Sequence, residues 1–290
     1  MRKLLFLIFS VAVLPAALSA QSTKTARTAS SLFWRSDSLQ VSEIVSQTGN
    51  QYSKVGHHGP AVENSHMAMR LYFNDSGAID VYSKNGRGME LLQYLWYPSV
   101  QDQQELGVGC DEYRVGKTVG LGGIALWDGQ KEVKLVATEG RTARVGKTPK
   151  GAYAEIVAYG VEYMGKKVDV SIRIDMYEKS RIANVTASEL NGHKVQFLTG
   201  VNYHKGQSVL HGEEYISVWG IHPADVSASP IPIGAGMFYS SKTFPVQEKT
   251  EDMVRIISKP ASKVTTRVIS ASTKEAELNN AKRFESFMMK

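Results

Sequence analysis

The sequence predicts an all-β protein: a large antiparallel β-sandwich with one helix at its C-terminal end. Short runs rich in Val, Ile, Tyr and Phe alternate with Gly, Asn, Asp and Pro over almost the whole chain, a pattern typical of antiparallel sheets. The 290 residues are 42% hydrophobic and 21% charged, which is enough apolar material for a full-sized core. Because no long Ser- or Pro-rich linker interrupts the pattern, we expect one sandwich domain over residues 21–290.

The first twenty residues have the features of a secretory signal peptide. Arg2 and Lys3 form a positive region, residues 4–18 an apolar segment, and residues 18–20 a small-residue cleavage site. We therefore expect a periplasmic or secreted protein with no membrane partner, since the remaining chain lacks an apolar run of membrane-spanning length. Loss of Arg2 and Lys3 lowers the net charge from +6 to +4. This weak, interspersed basic charge gives little support for nucleic-acid binding.

The predicted elements follow in chain order. Strand-like patterns bounded by turn residues occur at 67–73, 78–82, 122–127, 152–161, 167–177, 183–189, 196–203, 216–220, 236–238, 253–258 and 263–270. Residues 89–97 are apolar and fit a short helix or a strand equally well. The stretch Ser272-Thr-Lys-Glu275 matches a helix-capping box, and Leu278, Phe284 and Met288 then recur at helical spacing. We therefore expect a surface helix over residues 273–288 that packs on the sandwich.

The densest polar cluster is the segment 56–64, which contains His57, His58, Glu63 and Asn64. Its Gly and Pro residues suggest a loop of fixed path, and loops on β scaffolds often hold functional groups. Adjacent histidines on extended backbone point to opposite sides, so only one faces a given ligand unless the chain turns sharply. Surface histidines that cap backbone carbonyls are the alternative.

A β-hairpin is predicted immediately after this segment. Matching the apolar faces of its two strands requires a loop of odd length around residues 74–77. By alternation, the opposite face carries Arg70, Tyr72, Asp80, Tyr82 and Lys84. We interpret this face as a floor for a sugar or uronate ring, with an ordinary solvated sheet face as the alternative.

Three further segments concentrate polar side chains. They contain Asp111, Tyr113 and Lys117 between glycines, Asn202 and His204 on one strand face, and Trp219, His222 and Asp225. The glycines at 120, 122 and 123 would let backbone segments approach closely. The sequence lacks zinc-protease, α/β-hydrolase, P-loop and CxxC motifs, so we expect no cofactor and no metal. The lone Cys110 cannot form an intrachain disulfide.

Six segments together resemble the bacterial domain-of-unknown-function 4861 family. They are HHGPAVEN (57–64), LYFNDSGAIDVYSK (71–84), YRVGKTVGLGGIALWDG (113–129), TGVNYHKG (199–206), WGIHPADV (219–226) and SASTKEAELNNAKRFESF (270–287). The resemblance implies an exported protein of Bacteroidota-type glycan degradation, found beside polysaccharide lyases and unsaturated glucuronyl hydrolases. Some relatives resemble an oligosaccharide dehydratase that removes water from a terminal uronic acid in ulvan fragments. The implied fold is a large antiparallel β-sandwich of the galactose-mutarotase or lyase supersandwich kind.

The first functional hypothesis is an enzyme that acts on a uronate-containing oligosaccharide by β-elimination, a carbon–oxygen lyase reaction. The C5 proton of a uronate leaves only if its carboxylate is neutralised, a base is positioned and the leaving oxygen is protonated. We expect Arg70 or Lys84 to neutralise the carboxylate. The candidate catalytic residues are His57, His58, Tyr113 and His204, and the candidate substrate-binding residues are Glu63, Asn64, Arg70, Tyr82, Lys84, Asp111, Lys117 and His222. We expect one cleft to contain His57 or His58, Glu63, Arg70, Lys84, Asp111, Tyr113 and His204.

Other hypotheses remain open at this point. A mutarotase or epimerase needs the same acid and base but expels no group. A noncatalytic carbohydrate-binding sandwich would instead expose coplanar aromatic rings, drawn from Trp96, Trp127, Trp219 and the tyrosines. A metal site would use His57 or His58 together with Glu63 and His204.

Overall fold

The computed structural model describes residues 28–47, 49–86, 88–94, 97–225 and 227–290. The predicted signal peptide and Trp96 lie outside these ranges. Within them, no helix combines the length and the apolar character needed to cross a bilayer. The chain forms a large antiparallel β-sandwich with a helix at its C-terminal end.

The elements have the following bounds. The strands are β1 (Thr28–Ser31), β2 (Glu43–Ser46), β3 (Ala61–Asn64), β4 (Ala68–Leu71), β5 (Ile79–Tyr82), β6 (Ala125–Trp127), β7 (Glu132–Val133), β8 (Arg141–Thr148), β9 (Gly151–Tyr163), β10 (Lys166–Tyr177), β11 (Ala183–Glu189), β12 (Phe197–Asn202), β13 (Ser208–His211), β14 (Tyr215–Gly220), β15 (Ile233–Phe238), β16 (Val246–Lys249), β17 (Met253–Ile257) and β18 (Lys263–Ser272). The α-helices are α1 (Val100–Glu105) and α2 (Ala281–Met288), and one 3₁₀ turn spans Gly56–His58.

These strands form three sheets that build two layers. The nine-stranded sheet has the order β13-β14-β15-β18-β11-β10-β9-β8-β2. A four-stranded sheet, β1-β3-β4-β5, packs on β8, β9 and β10, and a five-stranded sheet, β16-β17-β12-β6-β7, packs through β12 on β14 and β15. The two smaller sheets therefore face the large sheet side by side, and the main hydrophobic core lies between the layers.

A glycine-rich segment joins the two smaller sheets. The Leu121 N–H donates to the carbonyl of Ile79 at 3.1 Å, and the Gly122 N–H donates to the carbonyl of Gly200 at 2.9 Å. Gly120 has a φ of +70°, and a Cβ at this position would lie 2.1 Å from the Ile79 carbonyl oxygen. Glycine is required there, as the expectation of close backbone approach implied.

The predicted hairpin forms with the expected register. Leu71 lies opposite Ile79 and Arg70 opposite Asp80, so residues 72–78 make a connection of odd length. Each of the other predicted strand segments also contains a strand, whereas β1, β2, β3, β7, β8, β13 and β16 and the helix α1 were not predicted.

Three expectations are wrong. The segment 56–64 is not a simple surface loop, because Ala61–Asn64 is a buried strand between β1 and β4. The described part of 89–97 contains neither a helix nor a strand. Ser272 does not cap a helix, because it ends β18 and its hydroxyl donates to the Lys84 carbonyl at 3.0 Å.

The C-terminal helix begins later than predicted. Its N-cap is Asn280, whose side chain accepts the N–H of Arg283 at 3.0 Å. Phe284 and Met288 are buried against Trp219 and Ile269 on the outer face of the large sheet. The helical spacing of apolar residues thus identified the packed face, although the capping motif misplaced the start.

Candidate functional site

Side chains from three separate segments meet at the backbone of Arg114. The His222 Nδ1 accepts the Arg114 N–H at 3.1 Å. The Arg114 carbonyl accepts hydrogen bonds from Asn202 Nδ2 at 2.9 Å and from His204 Nε2 at 2.8 Å. We call the group formed by Tyr113, Asn202, His204 and His222 the Arg114 site.

These hydrogen bonds assign the tautomers of both histidines. A nitrogen that accepts an N–H carries no proton, so neutral His222 is protonated at Nε2. A nitrogen that faces a carbonyl must donate, so His204 is protonated at Nε2 and keeps its lone pair on Nδ1. His204 is half-buried, so part of its ring is open to solvent.

Tyr113 is the buried hydroxyl of the site. Its ring centroid lies 4.5 Å from that of His222, which in turn lies 4.9 Å from the ring of His204. Burial raises the pKa of Tyr113 well above its ordinary value and the nearby negative charge of Asp80 raises it further, whereas the backbone of Asn202, close to the hydroxyl, lowers it. Burial lowers the pKa of His222 to about 3, helped by the proximity of His204. At neutral pH the site therefore holds a protonated phenol and a neutral buried imidazole.

Several buried polar atoms at and near this site have no hydrogen-bond partner among the described residues. Within the site they are the Tyr113 hydroxyl, Asn202 Oδ1 and His222 Nε2. The neighbouring Asp111 Oδ1 and Arg70 Nε are also without a partner in the described part of the chain. Buried polar groups are normally paired, so this concentration makes the Arg114 site a candidate binding site.

An ion cluster lies next to the site on the predicted hairpin face. Arg70 is fully buried, forms an ion pair with Asp80, and contacts Asp111 Oδ2 at 2.6 Å. Burial alone would lower the pKa of Arg70, but the carboxylates of Asp111 and Asp80 raise it. Burial raises the pKa of Asp80, because it outweighs the effect of the Arg70 charge. The carboxyl groups of Asp80 and Asp111 thus surround Arg70, and its positive charge is balanced within the protein.

Half-buried aromatic rings flank this ion cluster. His58 stacks on Tyr52 at 3.8 Å with an interplanar angle of 5°, and Tyr72 meets both rings edge-on. The Tyr72 hydroxyl donates to Asp80 at 2.6 Å, and Arg70 donates to the hydroxyl of Tyr97 at 3.0 Å. We call Tyr52, His58, Tyr72 and Tyr97 the aromatic wall. Burial lowers the pKa of His58 to about 4.

The two adjacent histidines separate because the chain turns sharply. His57 and His58 both adopt left-handed backbone angles, with φ of 53° and 62°, which cost about 1–3 kcal/mol each for residues other than glycine. The ring of His57 is buried edge-on against Phe33, 3.2 Å from the Ser31 hydroxyl, and burial lowers its pKa to about 3. His58 instead joins the aromatic wall.

Four predicted substrate-binding residues lie in a separate, internally bonded network, which we call the Glu63 network. Glu63 pairs with Lys84 and accepts the backbone N–H groups of Glu90 and Leu91 at 2.8–2.9 Å. Tyr82 donates to Glu90 at 2.9 Å. Asn64 donates to the Tyr177 and Ser180 carbonyls. These contacts hold the segment after β5 onto the four-stranded sheet.

The structure thus divides the predicted site residues among separate groups. It brings together Tyr113, His204 and His222, with Asp111 and Arg70 adjacent and the exposed Lys117 three residues beyond Arg114. His58 lies in the aromatic wall, His57 in a buried contact of its own, and Glu63, Asn64, Tyr82 and Lys84 in the Glu63 network. Glu63 and Lys84, which were expected to face the same cleft as the other residues, pair with each other in the protein interior.

Some residues of the candidate site were not selected from the sequence. Arg114 contributes through its backbone, which no side-chain pattern reveals, and Tyr52 and Tyr97 lie in segments without a clear motif. Tyr72 and Asp80 were placed correctly on the hairpin face, and Asn202 on the face of His204.

Two alternative hypotheses can be compared with the geometry. Trp219 is buried against Phe284, and Trp127 is half-buried with the guanidinium of Arg255 over its ring, so these two rings are not the exposed coplanar pair that the binding hypothesis expects. Within the described ranges, no group of three His, Cys, Asp or Glu side chains is arranged to hold a metal ion.

The fold and the Arg114 site define an antiparallel β-sandwich with a buried tyrosine and paired histidines. The chain belongs to the family described as "Domain of unknown function (DUF4861)", whose sequence profile matches residues 9–290, so the resemblance to this family is confirmed. No curated protein matches the chain. Among solved structures it is similar to 4-alpha-glucanotransferase from Thermococcus litoralis, with 10% identity and a TM-score of 0.34. The match covers 74% of this chain and 39% of that enzyme.

Proposed function

We propose that the protein is an exported carbohydrate-active enzyme that removes water from a terminal uronic acid of an oligosaccharide by β-elimination. The observation that carries the proposal is the set of buried, unpartnered polar atoms at the Arg114 site. A hydroxyl, an imidazole N–H and an amide oxygen together suit a ligand with several hydroxyl groups, because each atom can pair with one of them.

In this proposal His204 is the base and Tyr113 the acid. The Nδ1 of His204 carries the available lone pair, since its Nε2 donates to the Arg114 carbonyl. Tyr113 keeps its proton at neutral pH because burial raises its pKa. His204 removes the proton from C5 while Tyr113 protonates the leaving oxygen on C4.

The reaction is balanced without an oxidant, a reductant or a co-reactant. The C5–H and C4–O bonds break, a double bond forms between C4 and C5, and one water molecule leaves. The enzyme is left with a protonated His204 and a deprotonated Tyr113. Transfer of one proton from His204 to Tyr113 restores it, and the ring of His222 lies between the two.

The proposal assigns neutralisation of the substrate carboxylate to Arg114 and Lys117 rather than to Arg70 and Lys84. Arg114 is exposed, with its Nη1 donating to the Ala224 carbonyl at 3.1 Å, and Lys117 is exposed three residues further along the chain. Arg70 is already bound to Asp80 and Asp111, and Lys84 is bound to Glu63. A cation held by buried carboxylates has little charge left for a substrate.

The test is incubation of the mature protein with a panel of saturated uronate-ended oligosaccharides, ulvan fragments included. We expect ultraviolet absorbance to rise from the conjugated double bond, and the product to weigh one water less than the substrate. A lyase that cuts the chain would raise absorbance while splitting it, a mutarotase would change neither quantity, and a binding module would only deplete free ligand. Absence of water loss on every uronate tested would refute the reaction class.

Variants test the assigned residues. Tyr113→Phe and His204→Ala should each slow turnover by roughly 10² to 10⁴, the usual contribution of a proton-transfer group. Tyr203→Phe is the matched control, because Tyr203 neighbours His204 but directs its hydroxyl to the Thr250 carbonyl. His58→Ala decides between the two candidate histidines. A loss of turnover as large as that of His204→Ala would indicate that His58, in the aromatic wall, is the base.

A further inference from the structure

A surface hollow lies beside the aromatic wall. It has a volume of about 490 Å³ and is lined by Trp34, Arg35, Ser36, Ser53 and Lys54. Arg35 and Lys54 are exposed, and the Arg35 Nη1 donates to the Ser53 carbonyl at 3.3 Å. Trp34 is half-buried and packs in part against the main core. The hollow thus combines one flat aromatic ring with two positive charges at the protein surface.

Backbone hydrogen bonds tie this hollow to the aromatic wall. Trp34 forms a bridge with Val55, and the Arg35 N–H donates to the Lys54 carbonyl at 2.9 Å. Two residues before Lys54, the carbonyl of Tyr52 accepts a hydrogen bond from His58 Nδ1 at 3.1 Å. The hollow and the Tyr52–His58 stack are therefore joined by hydrogen bonds, and Tyr72 of the aromatic wall contacts Asp80 of the ion cluster.

The chemistry of the hollow indicates its ligand. An indole ring offers an apolar face on which a sugar ring can stack while the hydroxyl groups stay in contact with water. Arg and Lys side chains bind carboxylate and sulfate oxygens, with Arg suited to planar, two-point contacts. The charge of Arg35 also reaches the aromatic wall, where it contributes to the lowered pKa of His58.

We propose that the hollow is a distal subsite that binds a non-reacting acidic sugar unit of the oligosaccharide. The unit would stack on Trp34 and place its carboxylate or sulfate between Arg35 and Lys54. This inference rests on the proposed function only in taking an acidic oligosaccharide as the substrate. It adds that the protein selects for chain length and for a second anionic group away from the reacting end.

The test is calorimetric binding of uronate-ended oligosaccharides of increasing length, from two sugar units upwards. The wild-type protein should bind longer chains more tightly, and the Arg35→Ala/Lys54→Ala double variant should lose about tenfold in affinity for them. The same variant should bind the shortest oligosaccharide as the wild type does. In turnover the loss should appear in KM for long substrates and not in kcat.

Further variants and ligands identify the contacts. Trp34→Ala should weaken binding of long chains, and Trp34→Phe should restore most of it by keeping a ring. Lys263→Ala is the matched control, since Lys263 is an exposed lysine on β18, in a different sheet. Carboxyl-reduced and desulfated versions of one long chain distinguish a uronate from a sulfate as the group held by the two cations.

The outcomes separate this inference from the proposed function. If the double variant binds long chains as tightly as the wild type, the subsite is refuted, whatever the turnover assay shows. If no substrate loses water but length-dependent binding disappears in the double variant, the dehydratase proposal is refuted and the subsite is supported.

Discussion

The Glu63 network and the Arg114 site contain similar side chains but differ in whether their polar atoms have hydrogen-bond partners. In the Glu63 network, both oxygens of Glu63 accept hydrogen bonds, and the Tyr82 hydroxyl lies within hydrogen-bond distance of both Glu90 and the Gly109 carbonyl. At the Arg114 site, the Tyr113 hydroxyl and His222 Nε2 have no partner within the described chain. A satisfied network stabilises the fold, whereas unsatisfied groups lower stability unless a ligand pairs with them.

The same contrast shows why residue type alone does not distinguish a charge that binds a ligand from one that pairs within the protein. Lys84 and Glu63 were chosen because charged residues near a sugar-binding face suggest substrate contacts. Once folded, the two charges pair with each other in the protein interior. A charge that is balanced in this way contributes to the local structure, and the three predictions below test that distinction.

The largest expected effect on stability comes from breaking the Glu63–Lys84 pair. Lys84→Met leaves the buried Glu63 carboxylate without its cation, which should lower the free energy of unfolding by about 3–5 kcal/mol. Urea denaturation measures the change. Lys263→Met, on an exposed lysine of β18, should change stability by less than about 0.5 kcal/mol. A Lys84→Met protein as stable as the wild type would show that Glu63 does not depend on this ion pair.

The second prediction concerns the pH dependence of stability that His222 of the Arg114 site should cause. The pKa of His222 is about 3 in the folded protein, below the ordinary value of 6.5. Below pH 6.5 the unfolded chain therefore binds a proton that folded His222 does not, and stability falls as the pH falls. Between pH 7 and pH 5, this histidine alone should remove about 2 kcal/mol from the free energy of unfolding.

His222→Gln should abolish that part of the loss. Urea denaturation of wild type and variant at pH 7 and pH 5 gives the difference, in which the titration of other groups cancels. His211→Gln, on an exposed histidine of β13, should keep the wild-type pH dependence. If His222→Gln loses as much stability on acidification as the wild type, His222 is not held neutral by burial.

Features that depend on residues close together in the sequence were predicted, whereas features that depend on distant residues were not. The hairpin of β4 and β5 was predicted with its register, because alternation along two adjacent strands determines which residues face each other. Strand β3 was missed because its Glu63 and Asn64 suggest a polar loop, and their partners at Glu90 and Tyr177 are distant in sequence. Likewise, the sequence named Tyr113, His204 and His222, but only the fold shows that Arg114 joins them.

The last prediction compares two tyrosines by the same substitution. Tyr82→Phe removes a hydroxyl that lies within hydrogen-bond distance of both Glu90 and the Gly109 carbonyl, so it should cost about 1–3 kcal/mol by leaving a buried acceptor unpaired. Tyr113→Phe removes a hydroxyl without a partner among the described residues. It should change stability by less than about 1 kcal/mol, and a gain is expected because a buried unpaired hydroxyl is itself unfavourable.

Thermal and urea denaturation of the two variants side by side measure the difference. Stabilisation by substrate should show the opposite order, because in the proposed mechanism the ligand contacts the hydroxyl of Tyr113 and not that of Tyr82. Uronate-ended oligosaccharides should raise the melting temperature of Tyr82→Phe as much as that of the wild type, and should raise that of Tyr113→Phe less. Equal stability losses in the two variants would mean that the Tyr113 hydroxyl is paired in the free protein. The Arg114 site would then be another structural network like that of Glu63, and the reactive group would have to be sought at the aromatic wall.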